Sequence, residues 1–585
     1  METDREVVSG NRPRVVVPAA WSGSALLWLA MEPLAWWPLG YIALVPWTLL
    51  VLCSKPLERR DYLMLWLAGS AFWLVALYGL CFAHPAMFLG WLTLGFYLGA
   101  YTPLFVGVSR LAIARRVPVA IAVPAVWVGI ELIRGYAFTG FSACLLGHTQ
   151  ADLPAAIQIA DLAGSYAVSF VLAFTSAVAA LLLSVRWPQA MASLNVRQRV
   201  LWSFAAVVLV VAQFSYGSWR LRQPEATPEA DSLGIFVALV QRNEPVDYMM
   251  TSERQGEIFQ AYLEGSQAAM RDAAELQVAQ QTEPQTAEAV DLVVWPESMF
   301  SGASPWMEVG EQPVVPEDAE MPAEQFATFV MQRAEIFQQN AAEVQRRLAT
   351  AGSQASPPAL LVGNAVLRFE DRMHSYSGAV YIGSRGRVID WYGKQHLVMF
   401  GEYIPFFEWF PELFQWLPAP RVTPGEQAKV FSLAGAEIAP NICFETAIEC
   451  GTIDQVRRLA AAETAPDVLV NLTNDAWFGG SPILDHHRRC SQFAAVSSRR
   501  PLLMASNTGP TMWVDGSGRI IKQLPKNTAG HILARPTRDG RWGIYQGIGD
   551  WPARGLAFFV AVLAILGLLD RRRRKRAIPV AAASN

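Results

Sequence analysis

Long apolar segments dominate the first 221 residues of the chain. From Tyr62 to Ser109 there is no Asp, Glu, Lys or Arg over 48 residues, which is enough for two helices joined by a turn at His84-Pro85. A helix of about 20 apolar residues crosses the ~30 Å hydrocarbon core of a bilayer. The pattern predicts about eight transmembrane spans, near residues 15–33, 35–54, 62–82, 88–109, 117–134, 157–184, 200–219 and 553–569.

The segment from 222 to 550 has a different pattern, in which short apolar and β-branched runs alternate with polar, helix-like stretches. Between Ala323 and Leu348, for example, apolar residues recur every three or four positions, as on one face of a helix. The short runs predict strands at 234–241, 291–295, 359–363, 378–382, 438–443, 468–471 and 501–504. Strands that alternate with helices predict a layered α/β domain.

These patterns divide the chain into three parts. We expect an N-terminal membrane domain of seven transmembrane helices at 1–221, an α/β domain at 222–550, and a C-terminal transmembrane helix with a basic tail at 551–585. Basic residues occupy alternate loops between the spans, and the positive-inside rule places such loops in the cytoplasm. We therefore expect both termini in the cytoplasm and the α/β domain on the outer side. The basic residues are Arg5, Arg12, Arg14, Lys55, Arg59, Arg60, Arg110, Arg115, Arg116, Arg186, Arg197 and Arg199.

A run of six basic residues, Arg571 to Arg576, follows the last predicted span. Such a run is also found in nuclear-localisation and heparin-like patches. Its position directly after an apolar span favours a stop-transfer anchor on the cytoplasmic side.

Composition agrees with a membrane protein and excludes several other classes. Only 17% of the residues are charged and the mean hydropathy is +0.24, whereas a soluble globular protein has about a quarter of its residues charged. The net charge of −3 gives no basic field for nucleic acid. Six cysteines without a CxxC pair form neither a disulfide scaffold nor a zinc ribbon. Adjacent His486 and His487 do not converge on one ion, and we expect no metal and no cofactor.

Three polar residues stand at the ends of apolar runs in the α/β segment: Glu297, Lys394 and Cys443. A thiol at a strand-to-helix junction lies near helix amides, which favour the thiolate. A carboxylate can take its proton, and an ammonium can stabilise an oxyanion. Taken singly, such a cysteine is more often a small buried apolar residue, and the other two residues more often belong to a surface or structural ion pair.

The flanking motifs decide between these interpretations. The chain contains, in order, Trp295-Pro-Glu297, Gly393-Lys-Gln-His-Leu-Val-Met-Phe-Gly-Glu-Tyr-Ile-Pro405, Asn441-Ile-Cys-Phe-Glu445 and Asn471-Leu-Thr-Asn-Asp-Ala-Trp-Phe-Gly479. This series resembles the nitrilase superfamily, and specifically its membrane branch, the apolipoprotein N-acyltransferases. The resemblance also includes Gln241-Arg-Asn243, the segment from Arg500 to Gly509, and Glu131 to Arg134 in the membrane part.

The resemblance implies a polytopic membrane domain plus a nitrilase-like αββα sandwich with a Glu-Lys-Cys triad. It implies that Cys443 is the nucleophile, Glu297 the general base and Lys394 the oxyanion stabiliser. Glu402 and Glu445 match positions with supporting roles, and Phe444 and Asn243 match positions near the substrates. Phe444 departs from the family pattern, because a tyrosine commonly follows the nucleophile.

The implied reaction moves an acyl chain from the sn-1 position of a phospholipid to Cys443, and then to the α-amino group of a diacylglyceryl-modified cysteine at the N-terminus of an apolipoprotein. The implied location is the bacterial inner membrane, with the catalytic domain on the periplasmic side, and we expect a monomer. A membrane-tethered amidase that uses water as acceptor would need the same triad. A scaffold with a decayed nitrilase domain is a third reading, which the intact triad disfavours.

Other residues leave alternatives open. The aromatic segment 406–416, which includes Trp409 and Trp416, is typical either of core or of a lid that dips into the membrane interface. The spacing of Glu131 and Arg134 allows an ion pair on one helix face, and ionisable residues near a span are also functional candidates. Cys450 and Cys490 share the outer compartment with Cys443, and the sequence leaves open whether they pair.

Overall fold

The computed structural model describes twelve ranges of the chain: 16–85, 87–138, 140–184, 195–223, 233–245, 250–279, 289–300, 305–310, 315–316, 321–399, 401–403 and 422–576. The aromatic segment 406–416 lies outside them. Apolar helices occupy the first 223 residues and the C-terminal end, and two β-sheets with their helices occupy the segment between.

The N-terminal part is helical. Its α-helices are α1 (Val16–Ala30), α2 (Val45–Leu52), α3 (Arg59–Ala76), α4 (Leu80–Ala83), α5 (Met87–Gly99), α6 (Tyr101–Ala114), α7 (Val119–Tyr136), α8 (Pro154–Ile157), α9 (Ala160–Ala163), α10 (Ser165–Leu183) and α11 (Val196–Arg222). Among the described residues, five helical segments are long and apolar enough to cross a membrane: Met87–Ala114, Val119–Tyr136, Ser165–Leu183, Val196–Arg222 and Trp551–Arg573.

The other three predicted spans also coincide with helices. Spans 1 and 2 correspond to the shorter apolar helices Val16–Ala30 and Trp37–Leu52, and span 3 overlaps α3. A total of eight crossings stays a prediction.

The sixth span begins later than predicted. Its helix starts at Ser165 and not near 157, because Gly164 has a φ of +70° and separates it from α9. A Cβ at Gly164 would also lie 2.8 Å from the Glu449 carboxylate, so a side chain at this position has no room.

The α/β segment contains one seven-stranded sheet and one six-stranded sheet. The first has the order β13-β1-β2-β4-β5-β6 with β3 beside β4, and the second has the order β12-β11-β10-β9-β8-β7. The strands are β1 (Val237–Gln241), β2 (Leu292–Trp295), β3 (Trp306–Val309), β4 (Ala359–Phe369), β5 (Met373–Ile382), β6 (Val388–Gly393), β7 (Phe431–Leu433), β8 (Ala436–Ile442), β9 (Val468–Thr473), β10 (Leu502–Ser506), β11 (Met512–Val514), β12 (Ile520–Gln523) and β13 (Gly530–Ala534). All seven predicted runs form strands.

Four layers follow from how the sheet faces pack. The helices of this segment are α12 (Ser252–Ala279), α13 (Ala323–Ala351), α14 (Glu449–Ala461), α15 (Pro482–Ser498) and α16 (Ile544–Ile548), and α17 (Trp551–Arg576) follows them. Leu239 and Leu361 of one sheet share a core with Val470 and Leu503 of the other. Helices α12 and α13 cover the outer face of the first sheet, and α14 and α15 that of the second. The fold is therefore an αββα sandwich, as predicted.

Buried ion pairs join the sandwich to the apolar helices. Arg488 and Arg489 of α15 both reach Glu32 Oε1 at 2.9 Å. Asp161 of α9 pairs with Arg499, just after α15, and with Arg220 Nε of α11 at 2.7 Å. Since these side chains are buried, they fix the sandwich against one end of the helical domain.

Candidate active site

The three predicted triad residues follow the ends of three strands. Glu297 comes after β2 and Lys394 after β6, both in the first sheet, while Cys443 comes after β8 in the second. The strand ends bring all three side chains together in the middle of the sandwich, and each residue is at most 9% exposed. Gly363 permits this arrangement, because a Cβ there would lie 2.4 Å from Glu297 Cα.

The Lys394 ammonium lies between two carboxylates. Its Nζ donates to Glu297 Oε1 at 3.1 Å and to Glu402 Oε1 at 2.8 Å. Its backbone amide donates to the Ser377 carbonyl at 2.9 Å, and the Ser377 hydroxyl donates to Glu297 Oε1 at 3.3 Å. One strand, β5, therefore orients both the base and the ammonium.

Cys443 occupies a strained turn. Its φ is +52°, in the left-handed region, and such strain is typical of functional turns. The side chain of Asn471 donates to the Cys443 carbonyl at 3.0 Å, which fixes the turn. The Cys443 thiol is within hydrogen-bonding reach of Glu297.

The expectation that helix amides favour a Cys443 thiolate is wrong for this resting state. The residues after Cys443 form a single 3₁₀ turn, Cys443–Ala447, and α14 begins only at Glu449. Burial raises the pKa of Cys443 well above its ordinary value, and the Glu297 charge raises it further, while Lys394 opposes both. The resting Cys443 side chain is therefore a neutral thiol, which would need a base in order to act as a nucleophile.

The other two groups are suited to act on that thiol. Burial raises the pKa of Glu297, although the Lys394 charge counteracts it, so the carboxyl is a better proton acceptor than an exposed one. Burial alone would lower the pKa of Lys394, but the charges of Glu297 and its other anionic neighbours hold it well above the ordinary value. Lys394 therefore stays an ammonium, a hydrogen-bond donor and not a base.

Glu402 and Glu445 hold the site from two sides. Glu402 Oε2 accepts from the Val398 amide at 2.7 Å while Oε1 accepts from Lys394. Glu445 is buried and accepts from the Ile442 amide at 2.7 Å and from the Gln395 amide at 2.7 Å. Glu445 thereby ties the loop that carries Lys394 to the turn that carries Cys443.

Phe444 and Asn243 lie further from the chemistry. Phe444 packs against the apolar helices, with its ring 6.5 Å from that of Phe141. The Asn243 amide donates to the Asn507 carbonyl at 2.7 Å, and its side chain donates to the Asn527 carbonyl. Asn507 in turn contacts Asn474, whose amide donates to Glu297 Oε2 at 3.3 Å. Asn243 is thus linked to the triad only through intermediate residues.

Four residues near Cys443 have no role predicted from the sequence: Thr446, Thr473, Asp475 and His487. Asp475 accepts from Thr473 at 3.1 Å and lies 3.4 Å from His487 Nδ1, and His487 Nε2 lies 2.8 Å from Thr446 Oγ1. These contacts connect the turn after Cys443, through Thr446, to His487 of α15. The motif from Asn471 to Gly479 marked two of them, whereas nothing in the sequence connects His487 to Thr446.

Glu131 and Arg134 do not form the direct pair that their spacing allows. Glu131 Oε1 accepts from Trp127 at 2.9 Å and from the Leu146 amide at 2.7 Å. Arg134 donates to the Ala143 carbonyl at 3.2 Å. Both therefore hold the loop after α7. Cys450 and Cys490 are likewise unpaired, since all six cysteines fall in described ranges and are free.

One group of side chains in the described ranges has metal-ligand proximity. Glu370, Asp371 and His374, at the turn between β4 and β5, place ligand atoms within 4.8 Å of one another. His374 and the exposed Asp371 already contact each other at 2.9 Å. This surface group is separate from the triad.

Comparison with known proteins covers both parts of the chain. The family model of the apolipoprotein N-acyltransferase N-terminal domain matches residues 23–178, and that of carbon-nitrogen hydrolase matches residues 236–539. An apolipoprotein N-acyltransferase of Rhodopirellula baltica is 37% identical over 95% of this chain and 98% of its own length. One from Geobacter metallireducens is 28% identical over 83% of each chain.

Two solved structures are similar to about half of this chain. Nit3 of Saccharomyces cerevisiae, a member of branch 10 of the nitrilase superfamily, is 16% identical and covers 54% of this chain and 94% of its own, with a TM-score of 0.31. An amidase from Nesterenkonia sp. is 16% identical and covers 53% of this chain and 92% of its own, with a TM-score of 0.30.

Proposed function

Because this chain belongs to the apolipoprotein N-acyltransferase family, an enzyme family that couples a membrane domain to a nitrilase-like domain, we propose that Cys443, Glu297 and Lys394 carry out the acyl transfer in two steps. In the first step a phospholipid donates its sn-1 acyl chain to Cys443. In the second step the acyl chain passes to the α-amino group of a diacylglyceryl-modified cysteine on an apolipoprotein.

The contact between a neutral thiol, a buried carboxylate and a buried ammonium is the observation that carries this mechanism. Glu297 takes the proton of Cys443 as the sulfur attacks the ester carbonyl. Lys394 stabilises the negative charge on the carbonyl oxygen of the tetrahedral intermediate. The intermediate collapses to a thioester, and the proton held by Glu297 goes to the departing lysophospholipid oxygen.

The second step uses the same residues. The neutral α-amine attacks the thioester carbonyl, Glu297 takes the proton that the nitrogen loses, and this proton passes to the Cys443 sulfur as the C–S bond breaks and the amide forms. A thioester retains enough transfer potential for this step. Lys394 stabilises the second oxyanion from the same position, so one set of residues serves both steps.

The position of the site suits substrates that stay in a membrane. Phe444, next to Cys443, lies against Phe141 in the loop after α7, at the edge of the apolar helical core. The short helix α4, at the end of the third predicted span, contacts the turn Asp475–Phe478. We propose that both substrates reach Cys443 along this face, with the sandwich on the periplasmic side of the inner membrane, both termini in the cytoplasm and the enzyme acting as a monomer.

The test is mass spectrometry of the full chain in phospholipid nanodiscs. With phospholipid alone, the wild type gains the mass of one acyl chain on the peptide that contains Cys443. Addition of a diacylglyceryl peptide removes this adduct and yields an N-acyl peptide. Cys443→Ala gives neither species.

Cys450→Ala is the matched control, because Cys450 lies seven residues away and is also a free cysteine; it retains both species. Transfer without any acyl-enzyme would disprove the two-step mechanism. Release of free fatty acid in place of the N-acyl peptide would instead support the water-using amidase.

A further inference from the structure

A groove with apolar walls lies between the apolar helices α10, α11 and α17, separate from the triad. Its volume is about 440 Å³, and helices α7, α9, α10, α11 and α17 form its walls. We call it the span groove; its lining includes Leu162, Phe170, Leu209, Ala212 and Leu556. The length of these helices places the groove within the membrane-spanning part of the molecule.

The few polar residues along the span groove turn their polar atoms into the protein. The Tyr216 hydroxyl donates to Asp161 Oδ1 at 2.8 Å. The Gln213 side-chain amide donates to the Ala156 carbonyl at 2.7 Å. The groove therefore presents carbon atoms to whatever fills it, and water has little to bind there.

Two of the helices that border the span groove have few buried residues. These helices are α11 and α17, and their exposed apolar side chains include Val208 of α11 and Phe558 and Ile565 of α17. In a bilayer such surfaces face lipid chains, so the groove between these helices opens onto hydrocarbon. We therefore expect a lipid acyl chain to occupy the groove.

The rim of the span groove has the character of a lipid headgroup region. Trp219, at the outer end of α11, is exposed and packs on Tyr216 with ring centroids 5.5 Å apart. Trp551, the first residue of α17, and Trp542, just before α16, are also exposed. Tryptophan is enriched at this depth of a membrane. Arg554, in the first turn of α17, is exposed and can reach an anionic headgroup, whereas Arg222 lines a separate pocket on another face of α11.

We propose that the span groove is a phospholipid-binding site, distinct from the catalytic centre, which holds an acyl chain between α10, α11 and α17 and an anionic headgroup beside Arg554. The bound lipid supports the junction of the two domains. Tyr166 lines the groove, and the preceding residue, Ser165, donates its amide and its hydroxyl to Glu449 near the nucleophile turn, both at 2.7 Å.

Photolabelling of the full chain tests this proposal. The wild type is reconstituted in phosphatidylcholine nanodiscs with a trace of phosphatidylglycerol that carries a diazirine in the middle of one acyl chain. After illumination, peptide mapping is expected to place most label on groove residues of α10, α11 and α17. Label spread evenly over all exposed spans would overturn the proposal, whatever the variants do.

Two variants narrow the span groove, Ala167→Phe and Ala212→Phe, since both alanines line it. Each is expected to reduce groove labelling about tenfold. Val207→Phe is the control, because Val207 is exposed on α11 and lies outside the groove, and it leaves labelling unchanged. If groove labelling falls equally in Val207→Phe, or does not fall in Ala167→Phe and Ala212→Phe, the result counts against a defined site.

The headgroup is tested by Arg554→Gln with two probes, phosphatidylglycerol and phosphatidylcholine, that carry the same diazirine chain, and Arg222→Gln, on another face of α11, is the control. The wild type and the control are expected to label more with the anionic probe, and Arg554→Gln is expected to lose this preference. A wild type that labels equally with both probes removes the anionic headgroup from the proposal. Because the triad is untouched, acyl-Cys443 formation reports separately on the proposed function.

Discussion

At the scale of single residues, Glu297 contacts both Lys394 and Cys443. In the proposed mechanism it binds the Lys394 ammonium and also accepts the Cys443 proton. Glu297→Gln keeps the shape but removes the base, and we expect the rate of acyl-Cys443 formation to fall by about 10²- to 10⁴-fold. Single-turnover mass spectrometry measures this rate. Glu264→Gln, on the exposed face of α12, is expected to behave as the wild type, and similar rates in both variants would remove Glu297 from the mechanism.

Glu445 acts through position. Its two oxygens accept four well-placed bonds, from Tyr392, Ile442, Gln395 and His396. Glu445→Ala leaves the buried Tyr392 hydroxyl and Ile442 amide without an acceptor, at a cost of about 1–3 kcal/mol each. We expect a lower melting temperature together with a loss of activity, and Glu445→Gln, which keeps one acceptor oxygen, is expected to recover part of both. Full activity in Glu445→Ala would show that the tie between the two loops is dispensable.

At the scale of elements, Asp161 joins three segments that are distant in sequence. Its carboxylate contacts Arg220 of α11, Tyr216 of α11 and Arg499 after α15. Removal of one partner from a buried ion pair costs about 3–5 kcal/mol. Asp161→Asn is therefore expected to lower the melting temperature in nanodiscs. The exposed pair between Arg115 and Asp570 is the control, since Asp570→Asn costs at most about 1 kcal/mol.

Glu449 makes the contact between α14 and α10 dependent on pH. Burial raises its pKa from 4.5 to about 7, although bonds from Ser165 counteract part of the effect. Because the folded protein binds the Glu449 proton more tightly than the unfolded chain does, protonation of Glu449 stabilises the fold. This contribution is fully present below pH 4.5 and is lost as pH rises through 7. The change in pKa from 4.5 to about 7 corresponds to about 3 kcal/mol in the free energy of unfolding.

Melting temperatures measured from pH 5 to pH 8 check this expectation. The wild type is expected to become less stable across the range, and Glu449→Gln, which stays neutral, is expected to show a smaller slope. Glu264→Gln should keep the wild-type slope. Identical slopes in all three proteins would mean that Glu449 does not titrate in this range.

At the scale of the whole molecule, the proposed orientation can be tested directly. Ser384, in the short 3₁₀ turn Ser384–Gly386 of the sandwich, and Arg572, near the C-terminal end of α17, are expected on opposite sides of the membrane. In intact cells with a permeable outer membrane, Ser384→Cys should react with a membrane-impermeant maleimide and Arg572→Cys should not. The reverse result would invert the topology.

Much of this architecture was predictable because the local pattern determines it. Apolar run length located the helices, alternating short runs located seven strands, and motif order located Glu297, Lys394 and Cys443. Contacts between distant segments had no local signal. Nothing near Glu32 indicates that Arg488 and Arg489 bind it, and nothing near Glu449 indicates Ser165. The protonation state of Cys443 was also mispredicted, since it depends on burial and not on the turn alone.

The burial that keeps Cys443 protonated has a consequence for the lifetime of the enzyme. Peroxides and alkylating agents react with thiolates far faster than with thiols. In the proposed mechanism Cys443 loses its proton only as it attacks a substrate, so its sulfur is shielded from oxidation between turnovers. On the proposed periplasmic side, which is oxidising, such an enzyme can stay active without a dedicated reductase to restore its sulfur.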